Sequence, residues 1–407
     1  MSNRNRIISQ SKAIYISPSA IDTGTHGIAP TGDVAFRPTQ LDRIDTFSSD
    51  VDYAGSRQDV FEFGQRSRIS TVRQGETLAT VSMGHYLVDG RQEDMIGLQI
   101  NGFTGGVPVS QIISGMMTAN PFADQKNIYE LTVPDGVDAY GYADKAAFEA
   151  AATGFVVRSY GNGTLTSYSA NFSVGEIPRA DYEFECNNVV TTTGDVTILN
   201  NPSINKETAL PLTGVYSLVR PTLNLDNANT IGVLRNGDIT LTIGSATKAE
   251  GGVDYATMKI QSFGIEVPLG RQALEELGKE QPYAKPLENQ LVSNISINAI
   301  VADMKAGSLA SILTGCAGDE GIAMTVTVLN PCDGSTGLIY NIQDAVLDTE
   351  GFSLGLDDNQ TVDLAFSVTL GGATSTGAGI YCYGSALNAS YNSSTGYHDR
   401  FNTGGQF

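Results

Sequence analysis

Apolar and polar residues alternate strictly along many short stretches of this 407-residue chain. Alternation with a period of two places one set of side chains on a buried face and the other set in solvent, which is typical of β-strands. We therefore predict a mainly β protein built from sandwich or barrel sheets. The clearest stretches are residues 168–174, 182–186, 239–243, 295–301 and 362–370.

Two local signals refine the strand prediction. The apolar phase changes between Ile260 and Phe263, which indicates a β-bulge or bend in that strand. Asn236-Gly237 lies between two alternating stretches and predicts a two-residue hairpin turn, because both positions of such a turn require positive φ.

Helices are expected to be few and short. Residues 57–63 and 271–277 place apolar side chains three positions apart, and each segment is followed by a glycine, Gly64 or Gly278, that suits a left-handed helix stop. The alanine-rich residues 144–152 form a third predicted helix.

An internal repeat appears when the chain is shifted on itself so that residue 57 falls on residue 271, and the alignment continues without a gap to residues 89 and 303. The identical pairs are Arg57 with Arg271, Gln58 with Gln272, Glu62 with Glu276, Gly64 with Gly278, Ser82 with Ser296, and Asp89 with Asp303. Apolar positions match in the same stretch, and residues 44–47 resemble residues 260–263. The alternative is that any two β-rich segments with a helix between them would align this well.

The repeat predicts two tandem domains. Residues 1–205 would form the first, with an N-terminal arm, and residues 206–407 the second, with a flexible C-terminal tail. Each copy would run strand, turn, short helix, long loop and strand.

Charge and cysteine usage exclude several functional classes. The chain has 44 acidic and 24 basic residues, a net charge of −20, which argues against gripping a nucleic-acid backbone. Its four cysteines and three histidines form no metal or redox motif, so we expect buried thiols and no metal or cofactor. His85 is expected to be a partly buried structural residue. No apolar run approaches the length of a membrane span, so no contact with a membrane is expected.

The stretch from residue 260 to 303 reads I-x-S-F-x-I-E-V-P, then G-R-Q-A-L-E-E-L-G-K, P-Y-A-K-P and finally V-A-D. This succession resembles the tail tube proteins of bacteriophages. Residues 10–19 and the V-G-E-I-P pattern at 174–178 also resemble family members with long tails. The resemblance covers about half of the chain.

The resemblance implies a structural virion protein, the major tail tube subunit, with no active site. Single-domain members form hexameric rings, whereas fused two-domain members form trimers with pseudo-sixfold symmetry. Stacked rings then enclose a central β-barrel through which DNA is ejected, with the short helix packed outside its wall. The location implied is the virion tail, assembled in the host cytoplasm.

The partners implied are further copies of the chain, in homotrimeric or hexameric stacked rings, and the tape-measure, terminator and baseplate proteins of the tail. Double-stranded DNA would pass through the lumen without specific binding. The candidate lumen or ring-contact residues are Asp52, Asp89, Glu266, Asp303, Arg57 and Arg271. For the acidic residues the alternative is ordinary solvated charge, and for the arginines it is pairing within a helix.

The sequence is also compatible with other functions. The chain could be another virion component, such as a tube terminator, a baseplate ring protein or a capsid decoration protein. A β-rich hydrolase with two catalytic carboxylates is a further alternative, although the absence of Trp counts against sugar binding. A surface adhesin is disfavoured because no export signal is recognisable.

Overall fold

Strands dominate the computed structural model, which confirms the prediction of a mainly β protein. It describes residues 11–19, 38–53, 57–73, 75–104, 107–117, 124–134, 136–151, 154–194, 199–205, 210–212, 215–216, 218, 220–221, 234, 236–243, 258–279, 281–288, 290–301, 321–330, 334, 336–353, 359–372, 377–384, 391–392 and 397–398. Within these ranges no helix has the length and apolarity needed to cross a membrane.

Twenty-three strands and two helices are described. The N-terminal strands are β1 (Lys12–Pro18), β2 (Thr39–Leu41), β3 (Ile44–Asp52), β4 (Arg57–Val60), β5 (Ser70–Arg73), β6 (Leu78–Tyr86), β7 (Phe103–Thr104), β8 (Val107–Pro108), β9 (Lys126–Thr132), β10 (Val156–Ser173), β11 (Arg179–Cys186), β12 (Asn188–Thr193), β13 (Leu199–Asn200) and β14 (Val215–Tyr216). The C-terminal strands are β15 (Ile239–Ile243), β16 (Lys259–Pro268), β17 (Leu291–Ile300), β18 (Ile322–Leu329), β19 (Thr336–Ser353), β20 (Thr361–Leu370), β21 (Gly379–Gly384), β22 (Tyr391–Asn392) and β23 (Tyr397–His398). The helices are α1 (Arg91–Ile96) and α2 (Lys145–Ala151), and short 3-10 turns lie at Ser114–Met116 and Asn236–Asp238.

Strand pairing follows one scheme twice. The N-terminal set has the order β1-β9-β10-β11-β6-β3, with β12 on the first part of β10. The C-terminal set repeats this order as β15-β18-β19-β20-β17-β16, with β21 on the first part of β19. Each of these strands therefore has a counterpart in the other set, which supports the predicted duplication. The domain boundary after residue 205 stays a prediction.

The counterpart strands also share register shifts at equivalent positions. The pairing of β10 with β11 shifts between Leu165 and Ser167. The pairing of β19 with β20 shifts in the same way between Leu347 and Thr349. Because a bulge changes the direction of a strand and its side chains, the shared shift indicates one architecture used twice. It also fixes the alignment of the two strands, with Leu347 as the counterpart of Leu165.

A second pair of bulges shows the same agreement. The pairing of β3 with β6 shifts between Ile44 and Thr46, and the pairing of β16 with β17 shifts between Ile260 and Ser262. Ile260 is therefore the counterpart of Ile44. The shift in β16 also confirms the irregularity predicted beside Ile260.

β10 and β16 join the two sets. Residues 167–173 of β10 pair antiparallel with residues 262–268 of β16, while β11 occupies the other side of β10. The result is one 15-stranded sheet whose core cluster draws on both sets. The strand order ends at β15 on one side and at β3 on the other, and the described part of one chain does not close this sheet into a barrel.

The helices predicted at residues 57–63 and 271–277 are wrong. The first segment contains β4, which pairs with β5 in what we call the first hairpin (residues 57–73). The second segment forms bridges to residues 284–287 in the second hairpin (residues 271–288). Isolated helices this short are not stable in water, and pairing with the return strand satisfies the backbone groups instead.

The tips of the two hairpins explain the misleading signal. Phe63 and Leu277, which the helical spacing placed against a core, are fully exposed there. Gly64 and Gly278 follow them with φ of 97° and 90°. The left-handed conformation expected of a helix stop thus serves a hairpin turn. Each copy runs strand, hairpin and strand in place of strand, helix, long loop and strand.

The third predicted helix is confirmed as α2. Asp144 Oδ1 accepts the Ala147 N–H at 2.8 Å, as a helix N-cap does. On the same helix, Phe148 packs beside Phe155 in a small separate core. Because α1 has no counterpart among the predictions, it is a missed helix.

The cysteine prediction is confirmed where the structure describes it. Cys186 and Cys382 are buried free thiols, and burial raises the pKa of each. Asn236-Gly237 lies in a 3-10 turn that leads into β15, and Gly237 lacks the positive φ that the predicted hairpin turn requires. Other predictions fall outside the described residues: Asp303, Cys316, Cys332, the strand expected before Asn236, and most of the tail from 388 to 407.

Candidate assembly interface

Among the edges of the large sheet that lack a partner strand in the described chain, two have counterparts that pair with each other at the internal junction. β3 pairs along one side with β6, and residues 346–353 of β19 pair along one side with β20. β3 is the counterpart of β16, and this part of β19 is the counterpart of the part of β10 that pairs with β16. The outer edges therefore carry the same two strands that form the internal junction. Unpaired edges of this kind are templates for a further strand.

Arg271 anchors the second hairpin on the N-terminal set. Its Nη2 lies 2.6 Å from Asp124 Oδ2, and the two side chains are 7% and 6% exposed. The two groups form an ion pair, but their geometry is not that of a hydrogen bond, and Asp124 Oδ2 has no hydrogen-bond partner. Arg271 Nε also donates to the Leu165 carbonyl at 3.1 Å. Arg271 thus ties the two sets together within one chain, and its predicted contact with a neighbouring chain stays a prediction.

Lys285 provides a second anchor for this hairpin. Its Nζ lies 2.6 Å from both Glu76 Oε1 and Glu185 Oε1, and the side chain is almost fully buried. Since both carboxylates belong to the N-terminal set, the second hairpin is held at two points.

The first hairpin has no comparable anchor among the described residues. Arg57 occupies the place of Arg271 and is exposed. The apolar side chains of the hairpin are exposed as well: Val60, Phe61, Phe63, Ile69 and Val72. Clustered apolar exposure marks an interaction surface. In the second hairpin Leu274 and Leu287 are half-buried and Ala284 is buried, whereas Leu277 at the tip stays exposed.

The eight strands from β3 through β6, β11, β10, β16, β17 and β20 to β19 share one polar face. Their opposite face carries the core, for example Phe263 and Ile265. The acidic members of the polar face include Asp50, Asp52, Asp181, Glu183, Glu185, Glu266, Asp348 and Asp363. Arg179 on the same face is paired with Asp181 and Asp45. Such a surface repels a phosphate backbone.

The predicted acidic residues do not all come together. Glu266 and Asp52 are exposed on the polar face. Asp89 is half-buried and accepts the Arg91 N–H at 3.1 Å, at the start of α1. It therefore belongs to a loop and a helix, away from the strands of that face.

A buried polar cluster surrounds Glu93 of α1 and was not predicted from the sequence. His85 Nε2 lies 3.0 Å from Glu93 Oε1, which also accepts the Tyr168 hydroxyl at 3.4 Å. The Tyr168 and Tyr340 hydroxyls are 2.7 Å apart, so the cluster connects the two sets. Burial raises the pKa of both tyrosines well above 10.0. All four side chains are closed to solvent. His85 is therefore fully buried, where partial burial was expected, and its structural role stays a prediction. A run of polar residues such as 91–94 gives no sequence signal for burial.

The described residues hold no group of three or more His, Cys, Asp or Glu side chains that could bind a metal ion. The two free edges, the first hairpin and the polar face are the features that bear on function. Comparison with known proteins finds neither a family model nor a curated protein that matches the chain.

Proposed function

We propose that this chain is the major tail tube subunit of a tailed bacteriophage, which assembles head to tail into closed rings that stack into a DNA conduit. One observation carries the proposal. The two strands that join the sets inside the chain, β10 and β16, have counterparts, β19 and β3, that are unpaired on their outer sides. A contact that the fold already makes once can be made again between chains, and this repetition generates a ring if the rotation closes.

The register of the internal junction defines the contact between chains. Ser169 pairs with Glu266 inside the chain. The bulge alignment of β10 with β19 makes Gly351 the counterpart of Ser169, and that of β3 with β16 makes Asp50 the counterpart of Glu266. Gly351 of one chain would therefore pair with Asp50 of the next, with neighbouring pairs following antiparallel.

The first hairpin would dock at the same contact. Arg57 stands where Arg271 stands, and Leu347 is the counterpart of Leu165, whose carbonyl accepts from Arg271. Arg57 would donate to the Leu347 carbonyl of the neighbouring chain. Val60 of the first hairpin, the counterpart of the half-buried Leu274, would be partly covered by the same contact, whereas Phe63 at the tip would stay exposed like its counterpart Leu277.

Ring closure would convert the open sheet into a barrel. Three chains, each supplying eight strands, would give 24 strands, and at about 4.8 Å per strand and a tilt near 40° the barrel would be roughly 45–50 Å across. With the polar face toward the lumen, acidic side chains such as Glu266 would keep DNA mobile. The apolar face would then pack outside, within the wall.

Negative-stain electron microscopy of the purified full-length chain over a concentration series tests the proposal. We expect hollow tubes, and threefold class averages of two-lobed subunits in their rings. Rings that close but never stack would replace the tube subunit by a terminator or baseplate ring protein. A chain that stays monomeric at every concentration would contradict self-assembly through the two edges.

A further inference from the structure

The internal junction contains a hydrogen bond that the edges cannot repeat. Tyr168 on β10 and Tyr340 on β19 meet with their hydroxyls 2.7 Å apart, and both side chains are fully buried. Phe172 packs against Tyr340 beside them. The hydroxyl pair thus lies where the first part of β19 packs against β10, beside the pairing of β10 with β16.

The registers identify the residues in the same two places at the outer edges. Tyr168 pairs with Tyr182, and in the other set their counterparts Glu350 and Leu364 pair with each other. The same alignment of β10 with β19 makes Arg158 the counterpart of Tyr340. Two tyrosines inside the chain therefore correspond to a carboxylate and a guanidinium at its edges.

Glu350 is incompletely satisfied within one chain. Its Oε1 is enclosed and has no hydrogen-bond partner. Burial raises the pKa of this carboxyl group. The residue as a whole is half-buried on an unpaired edge, and a donor supplied there by a further chain would offset the cost of burying its carboxylate.

Arg158 is complementary to it. The guanidinium lies 5.4 Å from the centre of the Tyr160 ring, and the residue is half-buried. It forms no ion pair with any described residue: the carboxylate opposite it in β9, Glu130, is paired with Lys12 and contacts the Tyr160 hydroxyl. Arg158 is the counterpart of Tyr340, so its side of β10 corresponds to the side of β19 that contacts Tyr168 within the chain.

We propose that Glu350 of one chain forms an ion pair with Arg158 of the next chain. The pair rests on the proposed head-to-tail assembly and replaces the internal tyrosine pair at that contact. Carboxylate and guanidinium match in charge and in hydrogen-bonding geometry, whereas two like charges placed there would repel. The ion pair would also distinguish the contact between chains from the contact within a chain. A tyrosine hydroxyl opposite Glu350 or Arg158 would leave the charge of that residue without an opposite charge.

Charge reversal tests the pair. Glu350→Arg and Arg158→Glu should each raise the concentration for half-maximal assembly, measured by sedimentation velocity, about tenfold or more. The double variant restores the opposite charges and should assemble within about threefold of the wild type. Glu149→Arg, on the exposed surface of α2, is the matched control and should assemble like the wild type.

The outcomes separate the two levels of the proposal. Wild-type rings together with single variants that assemble normally, or a double variant as defective as the two single changes combined, would overturn the ion pair and leave the tube subunit standing. Failure of the wild type to oligomerise would overturn both. If a reversed single variant does not fold, as judged by circular dichroism, Glu350→Gln and Arg158→Gln replace it in a double-mutant cycle, in which a coupling of zero would overturn the pair.

Discussion

Asn162 and Asp344 stand at the same place in two strands and share a left-handed backbone conformation, with φ of 56° and 62°. Asn162 lies where the pairing of β10 with β9 shifts, and Asp344 lies where the pairing of β19 with β18 shifts. Few residues other than glycine adopt this conformation, although Asn and Asp do so more readily than most. The two sets therefore share a backbone detail that the general strand pattern does not require.

Asp344→Val should destabilise the fold, because a β-branched residue in this conformation costs about 1–2 kcal/mol. Asp344→Asn should be nearly neutral, since Asn tolerates the conformation and keeps an oxygen to accept the Gly321 N–H. Chemical denaturation of both variants measures the difference. Equal stability of the two would show that the backbone at residue 344 is not strained.

Arg271 and Arg57 should differ in what they stabilise. Arg271→Ala removes the guanidinium that contacts the buried carboxylate of Asp124 and should lower the free energy of unfolding by about 3–5 kcal/mol. Arg57→Ala should change it by less than about 0.5 kcal/mol, because the side chain is exposed in the single chain. Assembly should nevertheless weaken in Arg57→Ala. A stable Arg271→Ala variant would contradict the anchoring of the second hairpin.

Tyr168→Phe should lower the free energy of unfolding by about 1–2 kcal/mol, since it removes the hydroxyl that contacts both Tyr340 and Glu93. Tyr182→Phe is the matched control, because the Tyr182 hydroxyl is buried without a hydrogen-bond partner. Thermal or chemical unfolding distinguishes the two substitutions. An equal loss in both variants would argue against the connecting role of the tyrosine pair.

Glu350→Gln should have opposite effects on the single chain and on the assembly. The carboxyl pKa is raised from 4.5 by burial, so the stability that its protonated form contributes is present below pH 4.5 and is lost as pH rises through the raised pKa. Above the raised pKa, the neutral variant should therefore have a larger free energy of unfolding than the wild type. Below pH 4.5 the two should be equally stable. At neutral pH the variant should also assemble more weakly. Better assembly by Glu350→Gln would contradict an ion pair.

Mixing the two charge-reversed variants tests the number of chains in a ring. Glu350→Arg and Arg158→Glu chains complement each other at every contact only when they alternate, and alternation closes only in a ring with an even number of chains. A trimeric assembly should therefore yield mixed dimers but few closed rings, as measured by native mass spectrometry. Abundant closed mixed rings would indicate a hexamer.

The sequence allowed the strands to be predicted because alternation is a local property. The bulge beside Ile260 was likewise visible as a change of phase. The sequence predicts helices in place of the hairpins at residues 57–73 and 271–288 because a short segment with apolar spacing and a final glycine fits both structures. The partner strand decides between them, and pairing is a tertiary property.

The duplication was only partly visible in the sequence. One offset along the chain aligns the first hairpin and β6 with their counterparts, but a shorter offset aligns β10 with β19, because the connecting segments differ in length. Glu350 and Arg158 escaped notice for the same reason, since their counterparts are tyrosines. Their correspondence depends on register, which only the paired strands define.

Disulfide trapping of the edge contact tests the central claim most directly. Gly351 has space for a side chain, with its nearest neighbour at 3.8 Å. A chain carrying Gly351→Cys and Asp50→Cys should, on mild oxidation, give covalent dimers and then circular trimers. Gly351→Cys with Ser49→Cys places the thiols on opposite faces and is the control, as are the single variants. Cross-linking confined to the 351–50 pair is the predicted result, whereas cross-linking no greater than in the controls would contradict assembly through β3 and β19.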